Sequence, residues 1–586
     1  MSRRAALFFP YAVFLLLVAV SWNRWIEPFV DTGRELMVPW RLAHGEALYR
    51  DVPFYHGPLA PYLAAGIDLW CGRSLPARIA FAAVIALAHL EALRRLAGRF
   101  LTPPRAAVTA GTIVAVAFFL RPGGQLFPFS FDTSVAVASI TWALYLVTGP
   151  FAVRRDAAAG ACLAAALLCR PEMGIAAVLA VAWEARPARR LVVLAAAPAL
   201  VAGAAYAFLS YGTPLETLRR EGWLAIAGPP EAFRNVYAAY AGFDRPAFRL
   251  TELALAVVLL ILIATLLVAA AFLSRSVRVR SRAAARSVEV AALLLLALAA
   301  AIGLHPPEAL ARSIALLPPL VRVVPAAVAV GAIARGLGRV TGRRGEPFAP
   351  IPDSVLLLAA LFGLRLFLAA GYAGPYNAFL LPLPLLVTAA FLFSAADRFR
   401  AAAGESLSGL TLGALLLFLI YRVAALGVQY RQVGWTEVET PAGSLFLPEP
   451  IAATTRLALG DLSRRTREGS VIAGFPEVGF LEYVLGLQSA LPEEQFFPGH
   501  LDAELEERTI RTLAANPPAA IVLCNVLAVG HGFRAFGQDY LVRLDRFLHD
   551  RFSTAASFGP GSQPGAKIGD PQFFIEIRVP RAEARR

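Results

Sequence analysis

The chain has 586 residues, of which 58% are hydrophobic and 16% are charged, and its mean hydropathy is +0.60. This composition excludes an ordinary soluble protein. The net charge is +14, but the arginines gather in short loops between apolar runs. We therefore interpret the charge as membrane topology and expect no nucleic-acid partner. Lys567 is the only lysine, so arginine must supply any phosphate binding.

Apolar runs recur over the first 430 residues or so, and many have the ~20 residues needed to cross a bilayer. Arginine-rich loops alternate along them, starting from an N-terminus that Arg3 and Arg4 hold in the cytoplasm. One long helix over 157–185 would invert every later loop, whereas a break at Pro171 keeps the arginines inside. We therefore predict about thirteen spans, near 8–30, 76–97, 106–121, 131–149, 157–170, 173–185, 190–209, 251–273, 288–304, 315–334, 354–372, 378–395 and 407–427.

The composition changes near Tyr430, where charge clusters, Gly-Pro turns and short apolar runs begin. We predict a transmembrane domain over 1–429 and a small soluble α/β domain over 430–586, on the extracytoplasmic side. Residues 471–473, 520–523 and 573–579 have the pattern of strands, and residues 502–513 have that of an amphipathic helix.

The segment 31–61, DTGRELMVPWRLAHGEALYRDVPFYHGPLAP, is dense in charge and aromatic residues. An acidic residue after the first span, the G-E-x-L-Y-R-D run at 45–51 and the G-P-L-x-P-Y run at 57–62 resemble bacterial GT-C superfamily glycosyltransferases. Within that superfamily, the segment resembles most the branch related to protein O-mannosyltransferases and aminoarabinose transferases. The stretch LLCRPEMGI at 167–175 resembles the [R/K]-x-E-x-G stretch of this branch.

The resemblance spans roughly residues 20–185 and implies an all-α polytopic GT-C-like fold in the bacterial inner membrane. It also implies an inverting glycosyltransferase that moves a hexose or pentose from a polyprenyl-phosphate donor to a glycan, lipid or protein acceptor on the outer face. The expected partners are therefore this donor, the acceptor and membrane lipid.

Asp31 is the expected catalytic base of the first extracytoplasmic loop, 31–62. Trp22 and Trp25 mark the outer membrane interface, so Asp31 should lie just beyond it. A positioned carboxylate can take the proton of an acceptor hydroxyl, although Asp31 could instead only cap a helix. Glu35 follows one helical turn later and could bind substrate or a cation with Asp31. The spacing Thr32-x-x-Glu35 also fits a capping box, which we favour for Glu35.

Arg170 and Glu172 lie at the outer end of the broken span, where an arginine is costly unless it pairs or faces water. Its guanidinium suits the leaving phosphate of a lipid donor, but a purely structural Arg170–Glu172 pair stays equally open. Asp132, with Asp31, is a weak candidate for a metal site of the kind found in oligosaccharide-transferring relatives. Capping by Asp132 is favoured, so a divalent cation stays open and no cofactor is assigned.

Three more residues of the first loop, Arg50, Tyr55 and His56, have side chains suited to sugar stacking and phosphate contact. A lone histidine is more often a hydrogen-bonded structural residue. In the tail, the loop 474–477 follows a predicted strand and precedes a helix, which is the usual location of a loop site. We interpret the tail domain as acceptor recognition or scaffolding.

A transporter or flippase of a lipid-linked or envelope substrate is the main alternative function, because transporters also contain broken helices and membrane-embedded charges. Transporters, however, place paired breaks at the midplane of two symmetric halves, whereas this sequence indicates one break near an outer edge. A non-catalytic assembly protein is disfavoured by the clustered carboxylates after the first span.

The alternating arginines predict that the N-terminus is cytoplasmic and that the C-terminal domain lies outside. Reporter fusions near residues 283 and 450 should therefore give signals from opposite sides of the membrane. Equal signals would overturn the two-span interpretation of 157–185.

Overall fold

The structure is a computed structural model. It describes residues 2–25, 28–119, 124–126, 130–185, 188–221, 246–278, 281–304, 324, 327–329, 331–333, 335, 351–369, 376–398, 406–498, 503–526, 533–559 and 573–581.

Helices make up most of the described chain up to residue 432. Several begin at residues that favour a helix start: the Ser2 and Ser74 hydroxyls accept hydrogen bonds from first-turn amides. The helices are α1 (Arg3–Ser21), α2 (Thr32–Ala43), α3 (Leu59–Cys71), α4 (Leu75–Ala97), α5 (Pro103–Ile113, continued by a π-helical turn, Val114–Phe118), α6 (Phe131–Val147), α7 (Val153–Cys169), α8 (Pro171–Glu184), α9 (Ala188–Ser210), α10 (Leu215–Glu221), α11 (Pro246–Arg278), α12 (Arg282–Leu304), α13 (Asp353–Ala369), α14 (Tyr376–Leu380), α15 (Pro382–Arg398) and α16 (Ser406–Gln432).

Among the described residues, four helices are long and apolar enough to cross a membrane: Arg3–Ser21, Leu75–Ala97, Ala188–Ser210 and Leu407–Gln432. Helix α9 exposes large apolar side chains along its length, among them Val192, Leu200 and Phe208. Exposed apolar surface of this extent supports a membrane location. The number of about thirteen spans stays a prediction, and much of the span expected at 315–334 lies outside the described residues.

The predicted break inside 157–185 is confirmed. Helix α7 ends at Cys169 and α8 begins at Pro171, with Arg170 alone between them in a non-helical conformation. Proline suits the first position of α8 because that position needs no amide hydrogen bond. The chain therefore turns at Arg170.

The C-terminal part forms a small sheet domain. A two-stranded antiparallel hairpin precedes a five-stranded sheet. The order of the strands in this sheet is β4 (Gln488–Ser489), β3 (Val471–Phe475), β5 (Ala520–Cys524), β7 (Ile575–Pro580) and β6 (Phe552–Phe558). Strand β3 is parallel to β4 and β5, while β7 is antiparallel to β5 and β6. The predicted strands fall on β3, β5 and β7. The elements are β1 (Trp435–Val438), β2 (Leu445–Pro448), α17 (Glu449–Arg465), β3 (Val471–Phe475), α18 (Gly479–Leu485), β4 (Gln488–Ser489), α19 (Ala503–Ala515), β5 (Ala520–Cys524), α20 (Val542–Arg551), β6 (Phe552–Phe558) and β7 (Ile575–Pro580).

Helix α18 of the sheet domain packs directly on α2, the helix that follows the first span. Two glycines allow this contact, because a Cβ on Gly33 would lie 2.9 Å from the backbone nitrogens of Gly479 and Phe480. Trp25 is only 1% exposed and its ring meets that of Phe480 edge-on. Trp25 thus packs between the end of α1 and the sheet domain, and its position relative to the membrane stays a prediction.

A buried ion pair adds a second connection between the helices and the sheet domain. Arg78 on α4 is fully buried and donates through Nε to the Asp68 carboxylate, at 3.0 Å. The Tyr483 hydroxyl of α18 donates to the same carboxylate at 3.1 Å. Since an uncompensated buried charge costs several kcal/mol, these three residues hold α3, α4 and α18 in a fixed arrangement.

Candidate active site

Asp31 sits directly before α2 in a left-handed backbone conformation, with φ 62°. Its side chain makes no capping hydrogen bond, so the alternative of Asp31 as a helix cap is not realised. The carboxylate instead accepts a hydrogen bond from Gln495 Nε2 at 2.9 Å and lies 3.8 Å from Arg34 Nη2. The Asp31 side chain is 24% exposed, so a ligand can reach it.

The cap of α2 comes from the sheet domain. Glu477, which is fully buried, accepts the backbone amide of Asp31 at 2.9 Å and that of Arg34 at 3.4 Å. The positive end of a helix stabilises a carboxylate at this position. Burial, and then the nearby charge of Asp31, raise the pKa of Glu477 well above its ordinary value.

Gln495 joins these residues through both ends of its amide. Its oxygen accepts from Arg34 Nη1 at 2.8 Å, and its nitrogen donates to Asp31 Oδ1 and to Glu477 Oε2, at 2.9 and 3.0 Å. A guanidinium only donates and a carboxylate accepts, so this amide fits in one orientation. Asp31, Arg34, Gln495 and Glu477 form what we name the Asp31 cluster.

Glu35 does not form the favoured capping box, and that interpretation is wrong. Its carboxylate points away from the start of α2 and accepts the backbone amide of Phe131, the first residue of α6, at 3.2 Å. Burial and the charge of Asp132 raise its pKa to about 7. Glu35 thus links the Asp31 cluster to the start of α6.

Arg170 is the centre of a second group, the Arg170 cluster, beside the start of α6. Its Nε donates to Thr133 Oγ1 at 2.9 Å and lies 2.8 Å from Asp132 Oδ2. Its Nη2 donates to Ser130 Oγ at 3.0 Å. These contacts hold the guanidinium in place. The Arg170 side chain is still 12% exposed.

His56 belongs to the Arg170 cluster. Its Nδ1 lies 3.1 Å from Arg170 Nη1 and must accept there, because a guanidinium can only donate. The backbone brings His56 to this position: the amide of Gly57 donates to the carbonyl of Cys169 at 3.0 Å. A Cβ on Gly57 would lie 2.1 Å from the Leu168 carbonyl oxygen, so the close approach requires glycine.

The remaining predicted residues lie at different distances from these clusters. The Glu172 side chain is 45% exposed and its Oε1 lies 3.7 Å from Arg170 Nη1, a weaker contact than the one with Asp132. Arg50 contacts Asp51 and the Gly212 carbonyl rather than either cluster. Tyr55 is half-buried directly before His56.

Asp132 is fully buried in the first turn of α6. Its Oδ1 accepts from the Ser130 hydroxyl and the Thr133 amide, both at 2.8 Å, and its Oδ2 faces Arg170. Among the residues that the structure describes, no group of three His, Cys, Asp or Glu side chains could hold a metal ion. Asp132 thus contacts residues at the start of α6 and Arg170, and a divalent cation at Asp31 and Asp132 stays open.

Sequence reasoning missed Glu477, Gln495, Ser130 and Thr133 as members of the site. Glu477 lies in the loop 474–477, which the strand-loop-helix pattern had singled out, but nothing in the pattern pointed to Asp31 more than 440 residues away.

Structure comparison returns distant solved proteins. ArnT from Cupriavidus metallidurans in the apo state is 15% identical, with 99% of this chain and 98% of that chain covered and a TM-score of 0.42. Its structure with undecaprenyl phosphate is 14% identical, covering 97% of each chain, also with a TM-score of 0.42. The oligosaccharyltransferase AglB from Archaeoglobus fulgidus, in complex with an inhibitory peptide and a dolichol-phosphate, is 12% identical, covering 98% and 76%, with a TM-score of 0.47.

No protein-family model matches the chain, and no curated protein sequence matches it significantly.

The effect of Glu35→Gln on the pH dependence of stability tests whether the Glu35 carboxyl is buried. Its pKa in the folded protein, about 7, lies above its ordinary value of 4.5, so the folded protein keeps a proton that the unfolded chain releases. The resulting stabilisation is complete below pH 4.5 and is lost as the pH rises to 7. Glutamine carries no such proton, so the wild-type advantage in the free energy of unfolding should shrink over this window, by on the order of 3 kcal/mol.

The measurement is the thermal unfolding midpoint of both proteins in detergent between pH 4.5 and 7.5. Glu477, Glu482 and Glu494 also have raised pKa values, but they are present in both proteins and cancel in the difference. Parallel curves for the two proteins would contradict the buried position of Glu35.

Proposed function

We propose that the protein is an inverting glycosyltransferase that uses a polyprenyl-phosphate-linked sugar on the outer face of the membrane. The observation that carries this proposal is the state of Asp31: its partly exposed carboxylate is oriented by Gln495 while another residue caps its helix. A carboxylate held in this way can accept a proton from an incoming hydroxyl.

Asp31 is the base in the proposed reaction. It takes the proton of the acceptor hydroxyl as the oxygen attacks the anomeric carbon of the sugar, from the face opposite the phosphate. The bond from the anomeric carbon to the phosphate oxygen breaks, and its electron pair leaves with the polyprenyl phosphate. The sugar is thereby transferred with inversion, and the proton stays on Asp31 until water removes it.

Arg170 receives the leaving phosphate in this proposal. Its guanidinium is fixed by Asp132, Ser130 and Thr133, and preorganised positive charge costs no rearrangement when negative charge develops. His56 supports the guanidinium by accepting a hydrogen bond from Arg170 Nη1. We assign Glu35, between the two clusters, to a contact with the sugar.

The acceptor and the sugar follow from the resemblance and not from the geometry. We assign the acceptor to envelope glycans, lipids or proteins, and we place the reaction at the bacterial inner membrane with the sheet domain outside. The transporter or flippase reading predicts lipid movement without bond cleavage, which separates it from this proposal.

Asp31→Asn should abolish most of the activity and leave the fold intact. Because Glu477 caps α2, asparagine at 31 removes no cap, and its oxygen can still accept from Gln495. Loss of the proton acceptor should lower kcat about a hundredfold or more, while binding of undecaprenyl phosphate stays unchanged.

Asp397→Asn is the matched control, since it removes a carboxylate from an exposed pair with Arg105 and should leave activity unchanged. Both variants are assayed for transfer of radiolabelled sugar and for lipid binding in the same detergent. Wild-type kcat in Asp31→Asn would eliminate Asp31 as the base.

A further inference from the structure

We propose that Glu477 and Gln495 of the sheet domain are positioning residues that set the place of the Asp31 carboxylate for the reaction. This inference rests on the proposed function of Asp31. It makes the sheet domain part of the catalytic apparatus, whereas the sequence suggested acceptor recognition or scaffolding.

The first observation is that Glu477 caps α2, a role that the Asp31 side chain would otherwise fill. An aspartate at a helix start ordinarily accepts an amide of the first turn. Here the Glu477 carboxylate accepts the amides of Asp31 and Arg34, so the Asp31 side chain is not consumed by capping. The same contact holds the backbone of Asp31, whose positive φ is costly for a residue other than glycine.

The second observation is that only one orientation of the Gln495 amide matches the donors and acceptors around it. Arg34 fixes the amide oxygen, so the two amide hydrogens go to Asp31 and Glu477. The result is a chain of hydrogen bonds from a fully buried carboxylate to a partly exposed one. A shift of Glu477 or Gln495 would therefore move the Asp31 carboxylate itself.

A contact at the other end of α2 separates positioning from simple docking. Arg41, in the last turn of α2, donates to Glu494 Oε1 at 2.7 Å, and Glu494 is also a buried carboxylate of the sheet domain. Glu494 thus joins the same two parts of the molecule as Glu477 without touching Asp31. It provides a matched control.

The experiment compares Glu477→Gln, Gln495→Ala and Glu494→Gln in the full-length protein in detergent. The donor is whichever polyprenyl-phosphate-linked hexose or pentose the wild type consumes fastest, and binding is measured with undecaprenyl phosphate. Glutamine at 477 has one accepting oxygen where the carboxylate has two, so one contact is lost. We expect Glu477→Gln and Gln495→Ala to lower kcat about tenfold to a hundredfold, with unchanged lipid binding.

A double variant tests whether Glu477 acts through Asp31. In the Asp31→Asn background, Glu477→Gln should cost less than twofold more, because residues that act as a unit are not additive. Hydrogen exchange adds a readout that is independent of activity: one of the amides of Asp31 and Arg34, the one that loses its acceptor, should exchange faster in Glu477→Gln, and both should exchange at the wild-type rate in Glu494→Gln.

Three results would overturn the inference. They are full activity in Glu477→Gln, an equal fall of kcat in Glu494→Gln, and additive losses in the double variant. Each of them leaves the proposed function standing. A wild-type protein that transfers no sugar from any donor would instead reject the proposed function, and unchanged exchange at Asp31 and Arg34 would then reject the Glu477 contact on its own.

Discussion

The contact between the Glu477 carboxylate and the first turn of α2 is the interaction on which the rest of the site depends. Glu477 belongs to the sheet domain, whereas α2 directly follows the first span. Burial of this carboxylate is expensive unless amides satisfy it, and the amides of Asp31 and Arg34 do so. The close packing of Gly33 on Gly479 makes that approach sterically feasible.

The Arg170 cluster has a different origin. Helices α7 and α8 are separated by a single residue, Arg170. This break places its guanidinium among the hydroxyls and the carboxylate at the start of α6. Asp132 compensates the charge of Arg170, so the arginine can stay mostly buried. Glu35 reaches the amide of Phe131, and through this contact the two clusters meet at the beginning of one helix.

The sequence predicted the local features well, because each has a local cause. The break at Arg170 follows from Pro171, the strands at β3, β5 and β7 follow from short apolar runs, and the acidic start of the first loop was visible beside its aromatic neighbours. The long-range partners were not predictable. Gln495 and Glu477 are ordinary polar residues in their own segments, and only the folded chain brings them to Asp31.

One local interpretation failed because a distant residue competed with the nearby partner. Glu35 has the spacing of a capping box, yet the amide at the start of α6 takes its carboxylate. Trp25 has the position of an interface tryptophan, and its ring also packs edge-on against that of Phe480 in the sheet domain. Both contacts are tertiary, and the local sequence pattern indicates neither of them.

The most direct test of the central claim is to incubate the purified protein with a panel of polyprenyl-phosphate-linked sugars and extracts of envelope acceptors. We expect at least one donor to release free polyprenyl phosphate in equal amount to the sugar transferred, with the anomeric configuration of the product inverted. Movement of lipid across vesicles without release of polyprenyl phosphate from any donor would contradict the account and favour a transporter.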